Sequence, residues 1–196
     1  MAKQLFLVSG KPGSGKTTVS ELAAQDLGVY HFSMGEELRL RTLHGKPSRF
    51  SQALAEHAET LKQHLPLPAD LLASVFEECI ETSPRDIIII DGYPQYPDRL
   101  PRFQQTLDDT GSVVRAICSI DVSDDIARKR MAGRADRASD VAENEAFVTK
   151  RLNGFVTNVT PTITVLAATH PAHTIDGSQS PETVAADLVE IIRSYL

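Results

Sequence analysis

The chain has 196 residues, with 20 Lys and Arg against 26 Asp and Glu, for a formal net charge of −6. That balance excludes a general nucleic-acid binder but leaves room for a local basic pocket. Hydrophobic residues make up 41% and charged residues 23%, so the chain can bury a core, and its length fits one domain with insertions. Cys79 and Cys118 both lie in apolar stretches and read as reduced core thiols, not a disulfide. No apolar run approaches the ~20 residues of a membrane helix, and the first residues read as a strand of the fold instead of a signal peptide. A cytoplasmic setting is expected, without nucleic-acid or membrane partners.

The first predicted strand is Leu5-Phe6-Leu7-Val8, an apolar run with burial on both faces. It leads into Gly10-Lys11-Pro12-Gly13-Ser14-Gly15-Lys16-Thr17, a complete G-x-x-x-x-G-K-[ST] match. Thr18 to Leu27 comes next with apolar positions at helical spacing, so the motif sits at a strand–loop–helix junction. The glycines let backbone N–H groups turn inward around a phosphate, and the helix start adds its positive dipole end. Lys16 is placed to reach β- and γ-phosphates, and the Thr17 hydroxyl to ligate Mg²⁺.

Gly28 stops this helix, and Val29 to Ser33 reads as a short strand. Met34-Gly35 turns into a helix from Glu36 to about Leu43, which Gly45-Lys46-Pro47-Ser48 breaks. Phe50 to His64 is expected as one helix, with Leu54, Ala58, Leu61 and Leu65 on a stripe. Pro66 and Pro68 end it, and Ala69 to Glu81 forms the next helix. Thr82-Ser83-Pro84 is a turn. Ile87-Ile88-Ile89-Ile90 has no alternation, the pattern of a parallel strand buried on both faces. It ends in Asp91, an acid placed beside the phosphate loop to hold Mg²⁺ or its water.

Gly92 to Pro101 is irregular and rich in Gly, Pro and Tyr, and Arg102 to Asp109 is helical. Val113 to Ile120 is a buried strand, and Asp124 to Met131 a helix. Gly133 to Asn144 is polar and nearly free of large apolar residues, the mark of a surface segment. Phe147 to Leu166 is largely helical, broken by Pro161. His173 to Asp176 is the last strand and Pro181 to Tyr195 the closing helix. Alternating strands and helices predict an α/β fold with a parallel sheet, ligands gathering at the carboxyl ends of its strands.

Arg128-Lys129-Arg130-Met131-Ala132-Gly133-Arg134-Ala135-Asp136-Arg137 concentrates positive charge, and Arg151 lies beyond it on a helix. Such a run is either a solvated helix face or a set of forks for phosphate oxygens. The six histidines read as surface or core residues, because their spacing offers no third metal ligand.

Taken together, these segments resemble the adenylate kinase family of nucleoside monophosphate kinases over nearly the whole chain. Gly10 to Thr18 resembles that family's phosphate loop. His31 to Arg39 resembles its segment ending in Gly-Asp-x-Leu-Arg. Asp91-Gly92-Tyr93-Pro94 resembles its Asp-Gly-Phe-Pro. Arg130-Met131-Ala132-Gly133-Arg134 resembles the Arg-x-x-Gly-Arg that enters its lid. Arg151-Leu152, Thr160-Pro161 and Ile175-Asp176-Gly177 complete the series.

The resemblance implies a P-loop three-layer fold with a five-stranded parallel sheet. The core would comprise residues 1–30, 82–130 and 146–196, with a monophosphate-binding arm over 31–81 and a short lid over 131–145. It implies transfer of the ATP γ-phosphoryl to a nucleoside monophosphate, with AMP the default acceptor, Mg²⁺ as cofactor and a monomeric state. The donor would be held by Gly10, Lys11, Pro12, Gly13, Ser14, Gly15, Lys16, Thr17, Thr18 and Arg130. Lys16, Arg134, Arg137 and Arg151 would close on the moving group. Gly35, Arg39, Gly92, Tyr93, Gln95 and Arg99 would take the acceptor, and Thr17 with Asp91 the metal. No cysteine lies in 133–144, so the lid would carry no zinc.

The chain departs from the family pattern at three positions. Gln95 stands where the family has an arginine for the acceptor phosphate, Arg99 where adenylate kinases carry a glutamine that reads adenine, and Met34 where a threonine is common. If a helical turn begins at Gln95, Arg99 shares its face and is expected to supply the missing phosphate contact. Two other readings stay open: a cytidylate-, shikimate- or gluconate-type kinase on the same scaffold, and a regulatory ATP binder without turnover.

Overall fold

The computed structural model describes residues 2–62, 67–133 and 145–196. Strands β1 (Gln4–Gly10), β2 (Tyr30–Ser33), β3 (Ile87–Asp91), β4 (Val113–Asp121) and β5 (Ala172–Asp176) form one parallel sheet in the order β2-β3-β1-β4-β5. The two-residue period of a strand splits each apolar run between two faces. Leu5, Leu7, Ile88 and Ile90 point to one face, where they meet Phe32, Phe76 and Phe103. Phe6, Val8 and Ile89 point to the other, against Val19, Ala23, Val184 and Leu188. Both faces of β1 and β3 are therefore covered, which is why their sequences do not alternate.

Helices α1 (Lys16–Leu27) and α10 (Pro181–Arg193) pack together on the second face. The first face is covered by the long β2–β3 connection together with α6 (Leu100–Thr110) and α9 (Thr160–Ala167) from later in the chain. That connection runs through α2 (Met34–Leu43), α3 (Ser51–Glu56), α4 (Ala58–Lys62) and α5 (Ala69–Thr82). After β3 come a 3₁₀ turn (Pro97–Arg99) and α6 (Leu100–Thr110). After β4 come α7 (Asp124–Ala132), α8 (Glu145–Gly154), a π-helical stretch (Phe155–Val159) and α9 (Thr160–Ala167). No described helix is long and apolar enough to cross a membrane. Cys79 and Cys118 are free and buried, as expected.

Three boundaries differ from the sequence reading. The helix expected over 50–64 is divided at His57, whose φ of −103° and ψ of 10° leave the helical well. Its amide bonds Leu54 in an i−3 turn, and Leu65 and His64 lie outside the described residues. Helix α6 begins at Leu100, inside the stretch read as irregular. Pro101 acts there as a first-turn residue instead of a breaker, because its missing N–H has no partner to lose at that position. The interruption of the 147–166 helix lies upstream of Pro161, in the π stretch, and Pro161 occupies the first turn of α9.

Candidate active site

Parallel register aligns the carboxyl ends of β1, β2 and β3. Val8 and Ser33 are both register partners of Asp91, so the loop leaving β1 emerges beside that carboxylate. Within the loop, Gly13 and Gly15 have φ of 84° and 87°, the left-handed region that glycine enters without cost. Gly13 also lies hard against α7, where a Cβ would fall 2.5 Å from the Ala127 carbonyl oxygen. The Ser14 amide closes the turn on the Lys11 carbonyl at 3.0 Å, and Lys16 opens α1.

The Thr17 hydroxyl donates to Asp91 Oδ2 at 2.6 Å, and the Ser33 hydroxyl donates to the same oxygen at 3.3 Å. Asp91 is 2% exposed, yet its Oδ1 is buried with no hydrogen-bond partner. A lone buried carboxylate oxygen is costly unless a cation or donor completes it. A carboxylate beside a hydroxyl is the hard-oxygen pair that Mg²⁺ takes, its remaining positions being filled by water and substrate phosphate. These residues fit such an ion. Neighbouring His31 is held below its usual pKa by burial, against the pull of Asp91, Glu21 and Glu36.

Above this point opens a cleft of about 500 Å³, into which Lys16, Lys150, Arg151, Gln95, Gly92 and Tyr93 converge. Gly10 and Pro12 line it as well. Arg151 lies 5.8 Å from the Phe147 ring centre on α8. Tyr93 is joined to Pro94 by a cis peptide bond and belongs to the aromatic cluster with Phe76 and Phe103. Burial pushes its phenol up to about 12.

Other sequence-predicted residues sit around the cleft without lining it. Arg130 donates to the carbonyls of Gly177 at 2.9 Å and Ser14 at 3.3 Å, spanning the loop and the end of β5. Lys11 turns away to Asp124 at 2.8 Å, whose carboxyl it holds below the usual range. Ser14 is buried within the loop and Thr18 lies in the first turn of α1. Gly35 and Arg39 are exposed on α2, and the Arg39 side chain has no hydrogen bond or ion pair among the described residues. Arg99 is not in the cleft: it lines a second hollow with His57, Thr60 and Leu67. Arg134 and Arg137 lie outside the described residues, as does most of the expected lid.

The sequence reading missed two groups. The π stretch lines the cleft through Phe155, Thr157 and Asn158, which no residue pattern announces. In the connection after β2, Arg41 is buried and bonded to Glu37 (3.0 Å), Ser48 (2.7 Å), Cys79 (3.2 Å) and Glu78. Lys46 donates to both Glu37 oxygens, and Glu78 also accepts from the Ser48 hydroxyl and the Arg49 amide. The i,i+4 spacing of Glu37 and Arg41 was the available signal.

A glycine loop at a helix start, a lysine and an arginine lining one cleft, and a buried acid on the helix threonine form a site that can hold phosphate groups and stabilise the charge on them. The sequence profile described as "Adenylate kinase" matches residues 8–170. The chain belongs to the adenylate kinase family. Its relatives include adenylate kinases of Campylobacter concisus, 31% identical, and Campylobacter lari, 28% identical. The first match covers 99% of this chain and 100% of the relative, the second 99% of each. The adenylate kinase of Campylobacter curvus is 30% identical over 98% of this chain and 99% of its own length. Membership makes the chain an ATP-dependent phosphotransferase, a nucleoside monophosphate kinase on a P-loop α/β fold.

Proposed function

We propose that this cleft moves the γ-phosphoryl of ATP to the phosphate of a nucleoside monophosphate, giving two diphosphates, with AMP the default acceptor. An acceptor phosphate oxygen forms the new bond to the γ-phosphorus, and the bond to the β–γ bridging oxygen breaks. The reaction needs alignment and charge stabilisation, with no general base. The loop amides and Lys16 hold the donor phosphates, and Arg151 faces Lys16 across the cleft. Arg134 and Arg137 join it from the lid, and Arg39 and Gln95 hold the acceptor phosphate. Thr17 and Asp91 are the residues that would hold Mg²⁺, which when bound neutralises charge on the β- and γ-oxygens. Because the Thr17 hydroxyl donates its proton to Asp91, its lone pairs stay available to a cation. The setting is cytoplasmic and the protein a monomer.

The observation that carries this reading is the 2.6 Å bond from Thr17 to Asp91, with Asp91 Oδ1 left bare at the mouth of the phosphate loop. The test is a coupled assay for diphosphate with ATP, Mg²⁺ and a panel of nucleoside monophosphates. Turnover that disappears in Lys16→Ala supports it. ATP binding without turnover on any acceptor refutes it.

A further inference from the structure

The phosphate loop is built on flexible backbone, with Gly13 and Gly15 both in the left-handed region. One face of α7 supports it from outside. Lys11 Nζ donates to Asp124 at 2.8 Å, Gly13 lies against Ala127, and the Ser14 carbonyl accepts from Arg130 at 3.3 Å. Residues 124, 127 and 130 are spaced by three, so they follow one another along one side of the helix. Loop and helix therefore run side by side, Lys11 against the first turn and Ser14 against the last. Helix α7 is in turn backed by α8. Ala127 and Met131 pack with Val148 and Leu152, and Arg128 bonds Glu145 and the Thr149 hydroxyl (3.2 Å).

Of the three contacts to the loop, the Lys11 bridge is the one made between full charges. The Lys11 side chain is 17% exposed and that of Asp124 67%, and Asp121 lies 4.0 Å from the same ammonium. Two carboxylates thus answer its charge. Lys16 lines the cleft, and Lys11 does not.

We propose that Lys11 is a positioning residue, whose bridge to Asp124 fixes the phosphate loop along α7 in the shape that receives the donor phosphates. This rests on the reading of the loop as the ATP site, and it replaces the donor contact expected of Lys11 from sequence with a hold on the loop itself.

The test is calorimetric binding of ATP with Mg²⁺, and separately of AMP, in about 0.15 M salt so that distant charges are screened. It compares the natural protein with Lys11→Met, Asp124→Asn, the double variant and Lys11→Arg. A bridge of this exposure is worth roughly 2- to 5-fold, so each of the first two should weaken ATP binding by that factor and leave AMP binding unchanged. The double variant should cost no more than the larger single, because both break the same contact. Lys11→Arg keeps a cation for Asp124 and should bind ATP within about 2-fold of the natural protein. A lysine that held phosphate directly would bind ATP equally well or better once its aspartate was neutralised. ATP binding unchanged or tightened in Asp124→Asn therefore overturns the proposal, as do losses that multiply in the double variant or fall equally on AMP. Should Lys11→Met not fold, Asp124→Asn and Lys11→Arg decide it alone. ATP binding without turnover refutes the kinase reading and leaves these comparisons in force, whereas a natural protein that does not bind ATP overturns both.

Discussion

Removing Glu78 should unravel the packing between β2 and β3 far more than its position outside the cleft suggests. The Arg41 side chain is 3% exposed and that of Glu78 9%. In Glu78→Leu, Arg41 keeps Glu37 and Ser48 but loses its second carboxylate, and Ser48 and the Arg49 amide lose an acceptor. Breaking a buried pair from one side costs about 3–5 kcal/mol, because the remaining charge stays out of water. For a chain of this length each kcal/mol moves Tm by about 2–4 °C, so a fall of roughly 6–20 °C is expected. The assay is urea and thermal unfolding of Glu78→Leu, Arg41→Met and the double variant. The double variant should recover at least about 2 kcal/mol relative to the sum of the two singles, because neither Arg41 nor Glu78 then stays buried with part of its partners gone. Single losses below about 1 kcal/mol, or strictly additive ones, would refute the idea that burial of this pair sets its weight.

The same residue gives a pH signature. Burial raises the Glu78 pKa, but the Arg49 amide, the Ser48 hydroxyl and Arg41 together more than reverse this, so its folded value lies below the ordinary one. Its contribution is therefore complete above the unfolded pKa of about 4.3 and is lost as pH falls through the lower folded value. Glu78→Leu should accordingly flatten the acid limb of stability against pH.

Gly13→Ala should cost about 2–5 kcal/mol, combining a left-handed backbone with a Cβ pressed on Ala127, and should raise the ATP KM. A chemical denaturation curve unchanged from the parent would refute this. Asp91→Asn should lower kcat by roughly 10²–10³ and weaken the Mg²⁺ dependence of turnover, with circular dichroism unchanged. Cys79 and Cys118, whose thiols burial pushes up to about 12, should resist a thiol reagent in the native protein and react fully once urea unfolds it. Rapid native labelling of either would contradict their burial.

The layering was legible in the sequence because unbroken apolar runs such as Ile87 to Ile90 can only be two-sided strands. The phosphate loop was legible because its spacing and both flanks agree. What escaped were features set by partners far apart in the chain. Ser33 joins Asp91 only through sheet register, and Arg41 finds Glu78 only after α2 and α5 pack. Gly92 to Pro101 read as irregular, although Pro97 and Pro101 both sit in a first turn, where a missing N–H costs nothing. Arg99 matched a helical-turn expectation by spacing, but the fold turns it over Tyr96 and away from Lys16.

The place of β1 in the middle of the sheet also governs how the protein is made. Gln4 pairs with Ile87 on one side and Val113 on the other, and Gly13 rests on Ala127. The ribosome releases the phosphate loop well before the strands that flank it and the helix that walls it. At about 5–20 residues per second, the nascent loop waits several seconds with no sheet to hold its shape. The loop's wall is complete only when α7 has left the tunnel, so a segment synthesised more than a hundred residues earlier takes its final shape late.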